Sequence, residues 1–376
     1  MADTVIHNIG TGGPGGAESV LATLAAAMQR QHYRSVPVVP YEGWLSGRLL
    51  EQGLQARLAP AKGGFNLRYV RTLIDIARRE RARLIHSHLL GASVYGCAAA
   101  RWLGLPAISL FHGATDLLHP GSLDSAKRWL IAGPRCAVVA VSKGVQDALA
   151  AWGVPRGAIR VIYNGIDTER YVPAAASPLR AQFGVPDDMI HVGSIGNLRV
   201  AKAYDVLLRA AAIVIAQNPR VRFSIVGEGD EQARSALDRL HAELGLGDAV
   251  VFRGFVPAGP DVFRCFDLLV SSSRTEGLPL SLVEGMACAK IVVATRSGGS
   301  DEVIDDGVDG LLVPNGDHAA LAAAILRAVG DASLRATLGA QARRRAESQF
   351  CLGGMLRQYS ALYAELIDGR ARRVDA

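Results

Sequence analysis

The sequence predicts an α/β protein built from two doubly wound parallel-sheet domains. Strand and helix signals alternate almost from end to end, the pattern of parallel strands joined by crossover helices. The chain has 376 residues, enough for about two domains of roughly 100–200 residues each. Its 41 glycines supply many short βα turns. With hydrophobic residues at 49% and charged residues at 20%, it can bury ample cores.

Taken in order, Thr4–Ile9 reads as a strand, followed by a glycine-rich turn and a helix from Gly16. Ser35–Val39, Arg83–His88, Ala107–Phe111 and Ala137–Val141 continue as strands, with helical segments between them, and Ile159–Tyr163 closes the first half. Tyr171–Pro186 holds three prolines and few periodic apolar positions, and reads as the linker. The second series has strands at His191–Ile195, Val221–Val226, Val250–Arg253, Leu268–Ser271, Ile291–Ala294 and Leu311–Val313. Asp331–Gln349 and Cys351–Asp368 read as helices. The expected domains are 1–175 and 176–350, closing on a ligand at their strand carboxyl ends.

The five cysteines are scattered without a CxxC pair, as reduced thiols of a cytoplasmic protein would be. No run of about 18 apolar residues predicts a transmembrane helix. Met1-Ala2-Asp3-Thr4 lacks the basic and apolar regions of a signal peptide. Up to Arg170 there are 19 Lys/Arg against 11 Asp/Glu; the remainder has 22 against 24. The first half therefore favours an anionic partner, a membrane surface or a phosphorylated acceptor. Arg68–Arg83 has an amphipathic helix pattern with Val70, Leu73, Ile74 and Ala77 on one face. Arg68, Arg71, Arg78, Arg79 and Arg83 are assigned to the opposite face, where they suit anionic lipid. Nucleic acid is not an expected partner.

The chemistry-bearing residues gather at strand ends. In Ser273–Gly285 a strand gives way to a helix near Pro279. That places Glu276 at a loop tip and Glu284 on the helix, with the amides of Gly277–Leu280 free to face an oxyanion. Gly196–Lys202 likewise ends a strand and starts a helix, so Lys202 can hold a diphosphate. Gly10–Glu18 is a glycine-rich turn after a strand, but its proline and the lack of an acidic ribose ligand about 20 residues on speak against a dinucleotide fingerprint. His112 ends a strand. His86 and His88 end another and are placed on the acceptor side; no third ligand of suitable spacing accompanies them, and no metal is expected.

Glu276 and Glu284, separated by seven residues, resemble the E-x7-E signature of retaining GT-B glycosyltransferases of family 4. Gly196–Ala203 is similar to the family's G-R-L-x-x-x-K-G, with Asn197 in place of its arginine and Ala203 in place of its glycine. Gly15-Gly16-Ala17-Glu18 resembles its G-G-x-E loop, and Asn164-Gly165-Ile166-Asp167 its turn before the linker. Gly298–Glu302 is similar to its G-G-x-x-E turn, taken as structural. The resemblance implies a GT-B fold whose C-terminal helix, 351–376, packs back on the N-terminal domain.

It also implies roles. Glu276 and His112 contact the donor sugar, Glu284 the ribose, and Lys202 the diphosphate, with Arg199 supplying the charge missing at Asn197. Gly15 and Gly16 face the diphosphate, Gly277, Leu278 and Leu280 line the donor, and Glu228 and Val256 border the base. The implied activity is transfer of a hexose-type sugar from a UDP-sugar, or next GDP-mannose, to a glycan or lipid-linked acceptor. It proceeds with retention and without cofactor or metal, in cell-surface polysaccharide assembly at the inner face of the membrane. A nucleotide-sugar epimerase and a non-catalytic nucleotide-sugar-binding subunit stay open as alternatives. Turnover without acceptor would mark the first, and binding without turnover the second.

Overall fold

The structure is a computed structural model that describes residues 2–60, 66–114, 117, 121, 123–174, 177–257 and 259–374, with side chains as far as residue 369. The chain divides into two units, one formed by residues up to Asn164 together with those from Gly353 onward, the other by Gly165–Leu352.

The first unit runs β1 (Asp3–Ile9), α1 (Gly16–Arg30), β2 (Tyr33–Val39), α2 (Trp44–Glu51), β3 (Arg57–Leu58), α3 (Leu67–Arg79), β4 (Ala82–His88), α4 (Leu90–Leu103), β5 (Ala107–Phe111), α5 (Asp124–Ile131), β6 (Cys136–Ala140), α6 (Lys143–Ala151) and β7 (Ile159–Val161). Its seven strands lie in the order β3-β2-β1-β4-β5-β6-β7, with every pair parallel. Strand order reverses between β1 and β4, which makes that gap the switch point of the sheet. The short edge strand β3 was not expected, because two residues carry no periodicity.

Helix α3 corrects one expectation. Asn66 caps it, its side chain accepting from the Tyr69 amide at 3.0 Å, and Leu73, Ile74 and Ala77 are buried together with Tyr69 and Ile76. Arg68, Arg71, Arg78 and Arg79 stand exposed on it. The helix stops at Arg79, however, and Arg81 takes a left-handed φ of 53°. Arg83 therefore lies in β4, 3.7 Å from Asp3, and is not part of the helical basic face.

The second unit runs α7 (Pro178–Gln182), β8 (Ile190–Ile195), α8 (Tyr204–Gln217), β9 (Val221–Val226), α9 (Glu231–Glu243), β10 (Val250–Gly254), α10 (Pro260–Arg264), β11 (Leu268–Ser271), α11 (Leu280–Ala287), β12 (Ile291–Thr295), α12 (Gly299–Val303), β13 (Leu311–Val313), α13 (His318–Gly330) and α14 (Ala332–Gln349). Its six parallel strands lie in the order β10-β9-β8-β11-β12-β13, so β8 and β11 flank the switch point. One apolar core under the sheet joins α8 and α13 through Leu207, Ala211, Phe223, Val270, Val293, Leu321 and Ile325.

Tyr171–Pro186, expected as the linker, lies within the second unit, though residues 175 and 176 are outside the described set. The Ser177 hydroxyl donates to the Asp261 carbonyl at 2.8 Å, and Tyr171 packs edge-on against Phe263. At the unit's ends, the Ile166 amide donates to the Phe350 carbonyl at 2.8 Å and the Leu352 amide to the Ile166 carbonyl at 2.7 Å. A Cβ on Gly165 would lie 2.7 Å from the Cys351 carbonyl oxygen, so this position requires glycine.

Helix α15 (Leu352–Val374) belongs to the first unit from Gly353 onward. Tyr359 and Tyr363 are fully buried there, Glu365 pairs with Arg160 at 2.6 Å, and the Ser360 hydroxyl donates to Gln31 at 2.8 Å. Among the described residues no helix is long and apolar enough to cross a membrane.

Candidate active site

In the second unit the loops leaving β8 and β11 meet at the switch point. The first does not pass straight into a helix as expected. A 3-10 turn, Val200–Lys202, intervenes before α8, and Ala203 between them is left-handed at φ 48° and ψ 47°. This conformation costs an L-residue of the order of 1 kcal/mol, which is the physical reason a glycine suits the place Ala203 occupies. The turn is held from both sides. The Lys202 carbonyl accepts from the Ser272 hydroxyl at 2.9 Å, and the Arg274 amide donates to the Ala201 carbonyl at 2.7 Å. Beneath it Gly227, at φ 140°, lets the end of β9 approach the end of β8; a Cβ there would sit 2.1 Å from the Gly196 oxygen.

This arrangement brings Lys202 and Glu276 together. The Lys202 ammonium donates to Glu276 Oε1 at 2.6 Å, and the Ser273 hydroxyl donates to the same oxygen at 2.6 Å. The Glu276 backbone is fixed as well: its amide donates to Ser297 O at 2.9 Å, and its carbonyl accepts from Gly299 N at 3.0 Å. Gly277 and the buried Leu278 follow, and Pro279 stands as the N-cap of α11. Among the described residues, the first-turn amides of Leu280 and Ser281 have no protein acceptor, leaving them free for an anion.

Glu284 is one turn further along α11. Burial pushes its carboxyl up to about 7, although the Tyr171 hydroxyl donates to it and Arg170 is near. Tyr171 itself is pushed up by burial and by the Glu284 charge. The turns expected to border a base are joined by the Gly227 amide donating to Gly254 O at 2.8 Å. Exposed Glu228 accepts from the Phe255 amide at 3.3 Å, with half-buried Val256 next in the chain.

Asn197 is half-buried and Arg199 exposed. The Lys202 amide donates to the Arg199 carbonyl at 2.9 Å, but among the described residues no side-chain hydrogen bond joins Arg199 to Lys202, Glu276 or Ser273. Arg199 instead lines a hollow of about 270 Å³ with Val200, Leu237 and Arg274. Arg274 is held by Asp205 at 2.8 Å.

In the first unit, Gly15 caps α1 with extended backbone. A Cβ there would lie 2.3 Å from Glu18 Oε2, while Gly16 faces open space. His112, just past β5, hydrogen-bonds through Nε2 to His88 Nδ1 at 3.0 Å, and the two rings stack 5.2 Å apart. Burial lowers His112 to about 3, so it is neutral at physiological pH. His86 Nδ1 faces the Tyr363 hydroxyl at 2.7 Å.

The sequence reading missed three of these neighbours. Ser273 stands three residues before Glu276, a spacing that lets a hydroxyl reach the carboxylate. Tyr171 carries no local signal. The third imidazole that the His86/His88 spacing lacks comes from β1, where His7 is in register with His86.

Two parallel sheets of Rossmann-type strand order, one bearing a lysine–carboxylate pair at its switch point, define the class as GT-B. Residues 14–170 match the family described as Glycosyltransferase Family 4, and residues 189–331 match Glycosyl transferases group 1. The D-inositol 3-phosphate glycosyltransferase of Stackebrandtia nassauensis is 31% identical over 341 residues, 83% of this chain and 72% of that protein. Its counterpart in Saccharomonospora viridis is 32% identical over 287 residues, 70% of this chain. The chain spans 66% of the Saccharomonospora viridis protein and 62% of the Streptomyces avermitilis one. Anabaena HepE, solved with UDP and glucose, superposes with a TM-score of 0.87 at 25% identity, covering 96% of this chain and all of HepE. The chain belongs to glycosyltransferase family 4.

Proposed function

We propose that this chain transfers a hexose from a UDP-sugar to a hydroxyl of a glycan or lipid-linked acceptor, with the anomeric configuration retained. The observation that carries the reading is the Lys202–Glu276 pair at 2.6 Å on the carboxyl ends of β8 and β11. It stands in a fold shared with HepE, which has also been solved with UDP-glucose. On this reading Lys202, Arg199 and the α11 amides neutralise the departing diphosphate, the kind of charge stabilisation that is often the largest catalytic contribution. Glu276 and His112 hold the sugar, and Glu284 the ribose. Gly15 and Gly16 leave room for the phosphates, Gly277, Leu278 and Leu280 line the donor, and Asn197, Glu228 and Val256 border the nucleotide. The bond from C1 to the diphosphate oxygen breaks, C1 bonds to the acceptor oxygen, and the departing phosphate takes the acceptor proton. No metal enters the step.

The curated relatives are named for transfer to D-inositol 3-phosphate. A phosphorylated or membrane-borne acceptor also suits the basic first half of this chain, where Arg68, Arg71, Arg78 and Arg79 stand exposed on α3. On this reading the enzyme serves cell-surface polysaccharide assembly from the cytoplasmic side of the membrane. The test is transfer from UDP-glucose, with the anomer of the product read by NMR. Product of inverted configuration, or near-normal transfer by both Glu276→Ala and Lys202→Ala, would overturn the assignment. Flotation with anionic vesicles tests the α3 face: binding that is unchanged in the Arg68/Arg71/Arg78/Arg79→Gln variant removes it.

A further inference from the structure

The switch point of the first sheet holds a set of side chains that the transfer chemistry does not use. His7 of β1 and His86 and His88 of β4 point to the same face, because parallel register pairs His7 with His86 and strand alternation returns to that face at His88. All three are fully buried. His7 and His86 have ring centroids 5.4 Å apart, and His86 and His88 stack at 4.8 Å. Four of their ring nitrogens have no hydrogen-bond partner among the described residues: both of His7, Nε2 of His86 and Nε2 of His88. Buried polar atoms are nearly always satisfied, and a cluster left orphaned in a native interior calls for an explanation, a bound water or ion among them.

The partners that do exist orient these lone pairs. His86 Nδ1 is engaged by the Tyr363 hydroxyl and His88 Nδ1 by His112. If each Nδ1 carries the proton, both Nε2 lone pairs are left for a common ligand. A second ring nitrogen held by an outer hydrogen bond is the arrangement that fixes metal-binding imidazoles. One nitrogen from each of the three rings lies within 4.8 Å of the others. Tetrahedral Zn–N bonds of about 2.0–2.1 Å place ligand nitrogens about 3.3 Å apart, so side-chain shifts of roughly an ångström close the set. Burial keeps the imidazoles neutral, as ligands must be.

We propose that His7, His86 and His88 form a binding site for one divalent first-row cation, Zn²⁺ by preference, lying beneath Tyr359 and Tyr363. Three imidazoles without thiolate or carboxylate suit Zn²⁺ and its neighbours over Mg²⁺ or Ca²⁺. The ion has a structural role and leaves the transfer step metal-free. It fixes the His88 tautomer, and through it the ring of His112. This inference does not depend on which donor the second unit binds.

The test uses the full chain freed of any histidine tag, unfolded, stripped with chelator, refolded with Zn²⁺ and dialysed. Wild type is expected to retain about one Zn²⁺ per chain and His7→Leu none. Co²⁺ in its place should give the visible ligand-field absorption of a low-coordinate nitrogen site. Zinc retention no greater in wild type than in His7→Leu overturns the proposal and assigns the orphan nitrogens to internal water. If His7→Leu does not fold, the Co²⁺ spectrum of wild type decides. A sulfur-to-cobalt charge-transfer band, which would place the ion on the free thiols, or a weak octahedral spectrum overturns the proposal equally.

Discussion

Burial holds the Glu284 carboxyl at about 7, so its ionised fraction falls from about nine-tenths at pH 8 to about one-tenth at pH 6. An ionised carboxylate receives ribose hydroxyls and a protonated one competes poorly for them. The affinity for UDP-glucose should therefore fall about tenfold between pH 8 and pH 6, or ~1.4 kcal/mol. UDP-glucose suits the measurement because its diphosphate is esterified at both ends and keeps its charge over this range. The neighbours do not titrate there: Tyr171 is pushed far up, and Cys288 sits at about 11. Calorimetric titration at pH 6, 7 and 8 reads the effect, and Glu284→Gln should bind weakly with no pH dependence. Wild-type affinity constant within twofold from pH 6 to 8, or Glu284→Gln binding as tightly as wild type at pH 8, refutes the reasoning.

The same carboxyl acts on stability with a fixed sign. Its folded pKa is raised, so its contribution is fully present below the ordinary carboxylate pKa and is lost as pH rises through about 7. Glu284→Gln should raise the Tm of the ligand-free protein at pH 8 and leave it unchanged at pH 4, read by thermal denaturation. Lys202→Ala should lower kcat by about 10²–10³, the usual cost of removing a group that stabilises developing charge; steady-state assays check it. Ala203→Gly should stabilise by up to about 1 kcal/mol, because Ala203 sits at φ 48°, visible as a higher urea midpoint. Tyr363→Phe should cost about 1–3 kcal/mol in the same assay, since it leaves His86 Nδ1 without its partner.

Buried parallel strands were legible because each is a short apolar run between turn residues; β5, β9, β11 and β13 follow those runs to the residue. Local pattern failed where geometry is set from elsewhere. Helical spacing carried the basic stripe on to Arg83, but chain reversal at Arg81 hands Arg83 to β4. Of the site, Lys202 and Glu276 were visible as charges just past strand ends, and Glu284 as a charge on the helix that follows. Tyr171 reaches Glu284 across more than a hundred positions of sequence, and His7 reaches His86 only because β1 and β4 are neighbours in the sheet.

Helix α15 sets an order of events. The strands carrying the three histidines are made early, but the tyrosines that roof them are made only after the whole second unit. At translation speeds of about 5–20 residues per second, the stretch from His88 to Tyr359 takes on the order of 15–55 s. Through it the imidazole face meets bulk solvent and whatever ions the cell supplies. Once the roof has closed, loading and loss pass through transient detachment of this one helix, and release slows to the pace of local opening.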